Sequence, residues 1–136
     1  MDRLRQRADF LAVAKGARVN AAAFTVQSRG RDDLGPIRVG FTVTRQNGTA
    51  TERNRIRRRL REMVRELVEV TDAPTDVMAM RPHHDYVLVG RRAALTRDFA
   101  TMLEDFRAAL RRLDRQPARD ARVESRQPDR MTRPER

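Results

Sequence analysis

A helical segment with one continuous apolar side constrains the fold of this chain more than any other feature. Between the polar turn at 45–50 and about Val70, apolar residues recur every three or four positions. This spacing aligns them along one side of an amphipathic α-helix that Thr49 or Thr51 could cap at its start. Such a side must pack against another element. The apolar residues are Ile56, Leu60, Met63, Val64, Leu67 and Val68.

Three other segments predict the strands of a sheet. Residues 37–44 alternate between apolar and polar side chains, and Gly40 within them indicates a bulge or a close backbone approach. Residues 86–89 are almost wholly apolar, which is typical of a central strand. Residues 24–26 predict a third strand, with one further short strand expected within 17–28.

Two more helices complete the predicted fold. The first lies near 7–15 and is ended by Gly16, and the last covers about 96–113 with Thr96 at the cap position. The elements follow the order α-β-β-β-α-β-α. This order predicts an α+β fold in which helices pack on a single small sheet of about four strands.

The composition divides the chain into two parts. Residues 1–113 are expected to form a single α/β sandwich domain, whose binding partner the charge pattern indicates. In 114–136, arginine and acidic residues alternate between prolines, and Val123 is the only residue among Leu, Ile, Val and Phe. That segment is predicted to be a polar, disordered C-terminal tail.

Charge is the strongest indication of function. The 136 residues include 30 basic and 19 acidic ones, giving +11, and every basic residue except Lys15 is arginine. A surplus of this size indicates a polyanionic partner, either nucleic acid or an acidic membrane surface. Eight arginines minus two glutamates give residues 45–65 alone a net charge of +6. We call these arginines the arginine ridge: Arg45, Arg53, Arg55, Arg57, Arg58, Arg59, Arg61 and Arg65.

Two other interpretations of the ridge are weaker. A solvated helix surface would pair its arginines with Glu52, Glu62 and Glu66, but so few carboxylates cannot neutralise eight guanidinium groups. A membrane-surface helix would carry bulky aromatic residues on its apolar side, where this helix carries Ile, Leu, Met and Val. Nucleic-acid binding is therefore the favoured interpretation.

The sequence predicts no catalytic residue and no metal ligand in the protein itself. The absence of cysteine excludes disulfides, thiolate zinc sites and a cysteine nucleophile. His83 and His84 have no third ligand at metal spacing and are expected to be exposed loop residues. Asp32 and Asp33 fit a turn. Neither a Ser/His/Asp arrangement nor a phosphate-binding glycine loop occurs.

Targeting signals also bear on function. No apolar run approaches the ~20 residues of a membrane-spanning helix. The arginine-rich N-terminus is amphipathic, as a transit peptide can be, but Asp2 and Asp9 argue against one. The sequence therefore predicts a cytoplasmic location.

Residues 37–62, IRVGFTVTRQNGTATERNRIRRRLRE, resemble the protein component of bacterial ribonuclease P. In that family a strand containing Arg-Val-Gly leads through a basic, glycine-containing turn into a helix that begins with Arg-Asn-Arg. The resemblance covers about residues 3–113. The matching residues are Asp9-Phe10, Arg38 to Val43, Arg45, Gly48, Arg53 to Arg58, Arg61, Glu62, and the strand 85–89 followed by Arg91 and Arg92.

The resemblance implies an accessory subunit of an endoribonuclease. Its partner would be a catalytic RNA that removes the 5′ leader from precursor tRNA and holds most of the Mg²⁺, whose binding the protein would strengthen. The protein would be monomeric in the complex, without a membrane contact. The family fold also has a left-handed crossover between the strands at 37–44 and 86–90.

Two groups of site residues follow from the resemblance and the charge pattern. A single-stranded leader would lie in a central cleft between the first helix and the sheet, against Phe10, Thr25 and Gln27, with a base stacking on the aromatic ring. The predicted RNA-binding residues are Arg45, Arg53, Asn54, Arg55, Arg57, Arg58, Arg61, Arg65, Arg91 and Arg92.

Three positions depart from the family pattern. Ala14 replaces a second aromatic residue one helical turn after Phe10, Thr49 replaces an asparagine after Gly48, and Gln46 replaces a second basic residue. Composition alone supports an alternative function equally well, namely a general RNA-binding module such as a ribosomal protein or RNA chaperone.

Overall fold

The computed structural model describes residues 2–67, 80 and 83–115. Five strands and three α-helices make up this part of the chain, with short 3₁₀ turns at Arg45–Asn47 and Arg92–Leu95. The strands are β1 (Asp2–Arg3), β2 (Ala17–Asn20), β3 (Phe24–Gly30), β4 (Arg38–Thr42) and β5 (His84–Gly90). The helices are α1 (Arg7–Ala14), α2 (Ala50–Arg65) and α3 (Phe99–Arg115).

The strands form one mixed sheet in the order β1-β4-β5-β3-β2. β5 is parallel to β4 and antiparallel to β3, and it occupies the centre, as its apolar sequence predicts. Because β4 and β5 are parallel neighbours, the chain between them, which contains α2, makes a crossover. The α+β class is confirmed. The sheet has one more strand than predicted, because the two residues of β1 are too short to show a periodic pattern.

Helices cover both faces of the sheet. Phe24 and Val26 of β3 point to the larger apolar cluster, which also holds the buried residues of α2 and α3. The smaller cluster, Leu4, Val13 and Val87 with Phe10 and Val89 against it, lies under α1. Alternate residues of each strand therefore belong to two different environments. We call them the α2 face and the α1 face.

The predicted cap and the predicted apolar side of α2 are confirmed. Thr49 Oγ1 accepts a hydrogen bond from the Glu52 backbone N–H at 3.1 Å, and the Glu52 carboxylate accepts one from the Thr49 N–H at 2.9 Å. This reciprocal capping box selects Thr49 over Thr51 as the cap. The predicted apolar side is buried from Ile56 to Leu67, whereas Val68 lies outside the described residues.

The start of the last helix was predicted too early. Thr96 ends the 3₁₀ turn, and α3 begins only at Phe99. Asp98 provides the capping oxygen instead, accepting hydrogen bonds from the Thr101 N–H at 3.1 Å and from its hydroxyl at 3.2 Å. Asp98 competes well for this position because its side chain satisfies a free N–H of the first turn.

The prediction for the two histidines was wrong. Both are half-buried, and His84 belongs to β5 rather than to a loop. The His84 ring stacks on Tyr86, with centroids 6.2 Å apart, and a ring nitrogen of His83 lies 2.8 Å from the Gly35 carbonyl oxygen. By contrast, the predicted turn at Asp33 is confirmed, since its carboxylate accepts a hydrogen bond from the Gly35 N–H.

Two predictions fall largely outside the described residues. Most of the connection between α2 and β5 is not described, nor is the tail from 116 onward, so the domain division stays a prediction. Within the described residues, no helix has the length and apolar character needed to cross a membrane.

Candidate nucleic-acid interface

The arginine ridge lies on the outer side of α2. Ile56 and Leu60 turn inward with no exposed surface, so the arginines between and beside them point away from the sheet. The exposed residues of the predicted site here are Arg45, Asn54, Arg55, Arg58, Arg61 and Arg65, while Arg53, Arg57 and Arg59 are half-buried.

Acidic side chains leave most of this ridge unneutralised. Glu62 pairs with Arg65, and Arg59 donates to the backbone oxygen of Arg97 at 2.6 Å. Arg57 donates to the Asn54 side-chain oxygen at 2.7 Å, a bond that leaves its charge uncompensated. Seven of the eight ridge arginines make no ion pair with any residue in the described part of the chain, and six of these also make no guanidinium hydrogen bond to a backbone oxygen there: Arg45, Arg53, Arg55, Arg57, Arg58 and Arg61.

Glu52 belongs to a different set of contacts. Both of its carboxylate oxygens lie 3.0 Å from guanidinium nitrogens of Arg92, which also donates to the Asn47 backbone oxygen at 3.2 Å. The hydrogen bond from Arg92, followed by that from the Thr49 N–H, lowers the pKa of Glu52 to about 2. This fork joins the start of α2 to the segment after β5, so Arg92 is engaged within the protein.

A groove on the α1 face brings together two of the three predicted cleft residues. Phe10 and Gln27 line a cavity of about 430 Å³, together with Arg5 and Arg7. Phe10 is half-buried, with its ring against Gly40, where an added Cβ would lie 2.5 Å from the ring. The close approach predicted for Gly40 is therefore confirmed, and only a residue without a Cβ leaves room for this ring. The part of the Phe10 ring that remains exposed borders the groove.

Gln27 brings an unpaired polar group to the groove. Its side chain is 8% exposed and has no hydrogen-bond partner among the described residues. A primary amide offers both donors and an acceptor, so it can bind a polar ligand that enters.

Thr25 does not line this groove. It is 1% exposed, and its hydroxyl donates to the Asn20 side-chain oxygen at 2.7 Å and accepts from Arg91 at 2.7 Å. Arg91, itself exposed, thus covers Thr25 at the end of β5. A ligand that approaches this part of the sheet therefore contacts the Arg91 guanidinium before it can reach the Thr25 hydroxyl.

A buried carboxylate at the start of β5 was not found from the sequence. Asp85 has no exposed surface, and Arg38 binds it through two nitrogens at 2.8 Å. Arg31 reaches it at 2.5 Å and Arg29 at 3.4 Å. Burial alone would raise the pKa of Asp85, but the hydrogen bonds from Arg38 and Arg31 hold it below its usual value.

The same network touches α1. Arg38 approaches the Asp9 carboxylate at 3.5 Å, and Asp9 precedes Phe10 in the helix. Arg38 and Gly40 are two positions apart on β4 and share the α1 face. Strand β4 therefore supplies both Arg38, which approaches Asp9 of α1, and Gly40, which leaves room for the Phe10 ring of the same helix.

The described residues offer little to a metal ion. No group of three or more His, Cys, Asp or Glu side chains within them could hold one. The acidic groups near the ridge and groove, Glu52 and Asp85, already accept hydrogen bonds from arginine. These residues therefore do not fit a protein-held Mg²⁺ site.

Known proteins share both the sequence and the fold. The family model described as Ribonuclease P matches residues 1–114. The ribonuclease P protein component of Gluconacetobacter diazotrophicus is 45% identical over 111 residues, which cover 81% of this chain and 89% of that protein. The corresponding Caulobacter vibrioides component is 43% identical over 110 residues, covering 80% and 68% of the two chains.

Solved structures agree with these relatives. The Thermotoga maritima RNase P protein superposes with a TM-score of 0.61 at 28% identity, covering 86% of this chain and 99% of that one. The Staphylococcus aureus RNase P protein, at 22% identity and a TM-score of 0.62, covers 82% and 94% and supports the fold alone. The chain therefore belongs to the ribonuclease P protein family and is the protein component of an endoribonuclease complex.

Proposed function

We propose that this protein docks on the catalytic RNA of ribonuclease P through the arginine ridge and assists removal of the 5′ leader from precursor tRNA. The observation that carries the proposal is the set of six ridge arginines whose guanidinium groups make neither an ion pair nor a backbone hydrogen bond among the described residues. Unpaired guanidinium groups suit phosphate oxygens, and each phosphate they neutralise releases counterions from the RNA.

The groove on the α1 face is the proposed site of the single-stranded leader. Its aromatic ring, Phe10, offers a stacking surface, and Arg5 and Arg7 at its border can neutralise the leader backbone. Gln27 supplies hydrogen-bonding groups at its floor. Arg91, which covers the Thr25 hydroxyl, is proposed to contact the leader in place of Thr25.

The RNA partner is proposed to perform the hydrolysis and to hold the Mg²⁺. The described protein residues lack a convergent set of metal ligands, and none of them forms a nucleophile–base arrangement in the groove. What the protein contributes is positive charge beside the RNA. That charge lowers repulsion between RNA strands, so it favours the folded arrangement in which groups of the RNA bind Mg²⁺. We propose that one copy of the protein acts in the complex.

Cleavage at limiting Mg²⁺ tests this function. Purified protein added to a bacterial ribonuclease P RNA should restore cleavage of precursor tRNA at the mature 5′ end under conditions where the RNA alone is inactive. Polyarginine of equal total charge is the control, because it supplies cations without the groove. If the protein only raises RNA binding, without correctly placed cleavage, it is a general RNA-binding module instead.

The leader site has its own test. Phe10→Leu should weaken binding of precursor tRNA with a leader by about fivefold, the lower end of a lost base–aromatic stack. Binding of leaderless tRNA to the same complex should not change. Equal losses for both substrates would remove the groove from the account.

A further inference from the structure

A second pocket lies beside the arginine ridge, where β1 and β4 meet α2. Its volume is about 210 Å³, and its floor is formed by Val39, Phe41 and Val64. Three arginines, Arg3, Arg61 and Arg65, and one carboxylate, Asp2, also line it, so its border carries a net positive charge. Neither Arg3 nor Arg61 makes an ion pair with a described residue. The pocket thus combines an apolar floor with two cations that have no ion pair in the described part of the chain. A site that only neutralised phosphate groups would not need the apolar floor.

One cation of this pocket, Arg61, lies over an aromatic ring. The Arg61 guanidinium carbon lies 5.7 Å above the centre of the Phe41 ring, within the range of a cation–π contact. Arg61 is exposed and Phe41 is half-buried. The contact keeps the guanidinium group beside the ring, and guanidinium planes stack on nucleobases as well as on aromatic rings.

We infer that this pocket receives one unstacked nucleobase of the partner RNA, which packs against Arg61 and Phe41 while Arg3 contacts its phosphate. The inference rests on the proposed function, because the RNA that docks on the ridge supplies the nucleotide. Arg61 belongs to both surfaces, so an RNA strand on the ridge passes the mouth of the pocket. A base face fits the apolar floor, whereas the cationic border excludes a purely apolar occupant.

Arg61→Lys separates stacking from charge. Lysine keeps the positive charge but lacks the planar guanidinium, so an interaction that depends only on charge is preserved. We expect the variant to bind a bacterial ribonuclease P RNA about fivefold more weakly than the parent. The slope of log affinity against log salt should stay the same, because no ion contact is lost.

Arg111→Lys is the matched control. Arg111 is exposed on α3, outside the predicted RNA-binding residues, and has no ring contact or other partner among the described residues. The affinity of this variant for the RNA should stay within about twofold of the parent, because it makes the same Arg-to-Lys change away from the proposed interface. Thermal unfolding of each full-length variant checks that the fold is retained.

Phe41→Leu provides a second, independent variant. It keeps an apolar floor but removes the ring under Arg61, and should also weaken RNA binding about fivefold. The double variant should bind about as weakly as either single one, because both changes remove the same stack. Additive losses, or Arg61→Lys binding as tightly as the parent, would overturn the inference while leaving the ridge intact. Failure of the parent itself to bind the RNA would overturn the proposed function and this inference with it.

Discussion

Two groups of arginines in this protein have opposite roles. Arg31 and Arg38 surround the buried Asp85 carboxylate, and the Arg31 side chain is only 5% exposed. Arg55 and Arg58 on α2 are exposed and have no acidic partner among the described residues. The first group holds three strands together and the second remains available to a polyanion. Net charge alone cannot distinguish them, because each arginine contributes equally to the +11.

The difference arises from where the carboxylates lie. Asp85 is taken out of water by β5, and a buried charge is tolerated only when it is paired and hydrogen-bonded. Acidic residues near the ridge are instead bound by Arg92 or by Arg65 at its end. The remaining ridge arginines are therefore left for an external partner.

Removing the buried carboxylate should have the largest effect. Asp85→Asn keeps the shape but leaves the surrounding guanidinium groups without their counter-charge, and should lower the free energy of unfolding by about 3–5 kcal/mol. Urea denaturation measures this loss. Asp32→Asn, at an exposed residue without an ion pair among the described residues, should change it by less than about 0.5 kcal/mol. Similar stabilities for the two variants would contradict a structural role for the Asp85 group.

Changes in the ridge should affect binding and not folding. The double variant Arg53→Ala with Arg55→Ala should bind the catalytic RNA about tenfold or more weakly, because it loses two phosphate contacts. Its melting temperature should stay close to that of the parent, since the apolar side from Ile56 to Leu67 is untouched. Arg111→Ala with Arg112→Ala, two exposed residues of α3, is the control with the same loss of charge. Equal RNA affinity for the two double variants would remove the ridge assignment.

The Glu52–Arg92 fork should give a smaller, pH-dependent effect. The folded-state pKa of Glu52 is depressed to about 2, so its contribution to stability is complete above the pKa of the unfolded chain, near 4.5, and is lost as pH falls toward 2. Glu52→Gln can still cap α2 but carries no charge. Urea midpoints of parent and variant should therefore differ more at pH 6 than at pH 3, and should converge as the pH approaches 2. A difference that is the same at both pH values would contradict this.

Deleting residues 116–136 should have the smallest effect. The segment contains only two large apolar residues, Val123 and Met131, and so little apolar surface to bury. We expect a change in the free energy of unfolding below about 0.5 kcal/mol. A large drop in the melting temperature would show that the tail packs on the domain.

The parts of the fold that were predictable are those whose signals are local. The apolar side of α2, its cap at Thr49 and the central position of β5 follow from spacing and residue type within single segments. Gly40 signalled a close approach, although only the structure identifies Phe10 as the group that comes near. β1 is stabilised by its pairing with β4, not by its own sequence.

Sequence reasoning could place an arginine in the candidate site only where its exposure on a helix decides whether it is available to RNA. It could not do so where the role depends on a distant partner. Asp85 precedes an apolar strand and its arginine partners are 47 to 56 residues away, so no spacing rule connects them. The one available signal was a charged residue next to a fully apolar run. The ion pair of Arg92 could not be predicted for the same reason, since its partner Glu52 is 40 residues distant. Pairing across strands decides which arginines remain free.

The salt dependence of binding between the full-length protein and the catalytic RNA tests the central claim most directly. If the ridge contacts phosphates, log affinity should fall steeply and linearly with log salt, and the Arg53→Ala, Arg55→Ala variant should flatten that slope by about 1.4 to 1.8. A variant with the parent's slope would show that these arginines do not contact the RNA, and would contradict the account.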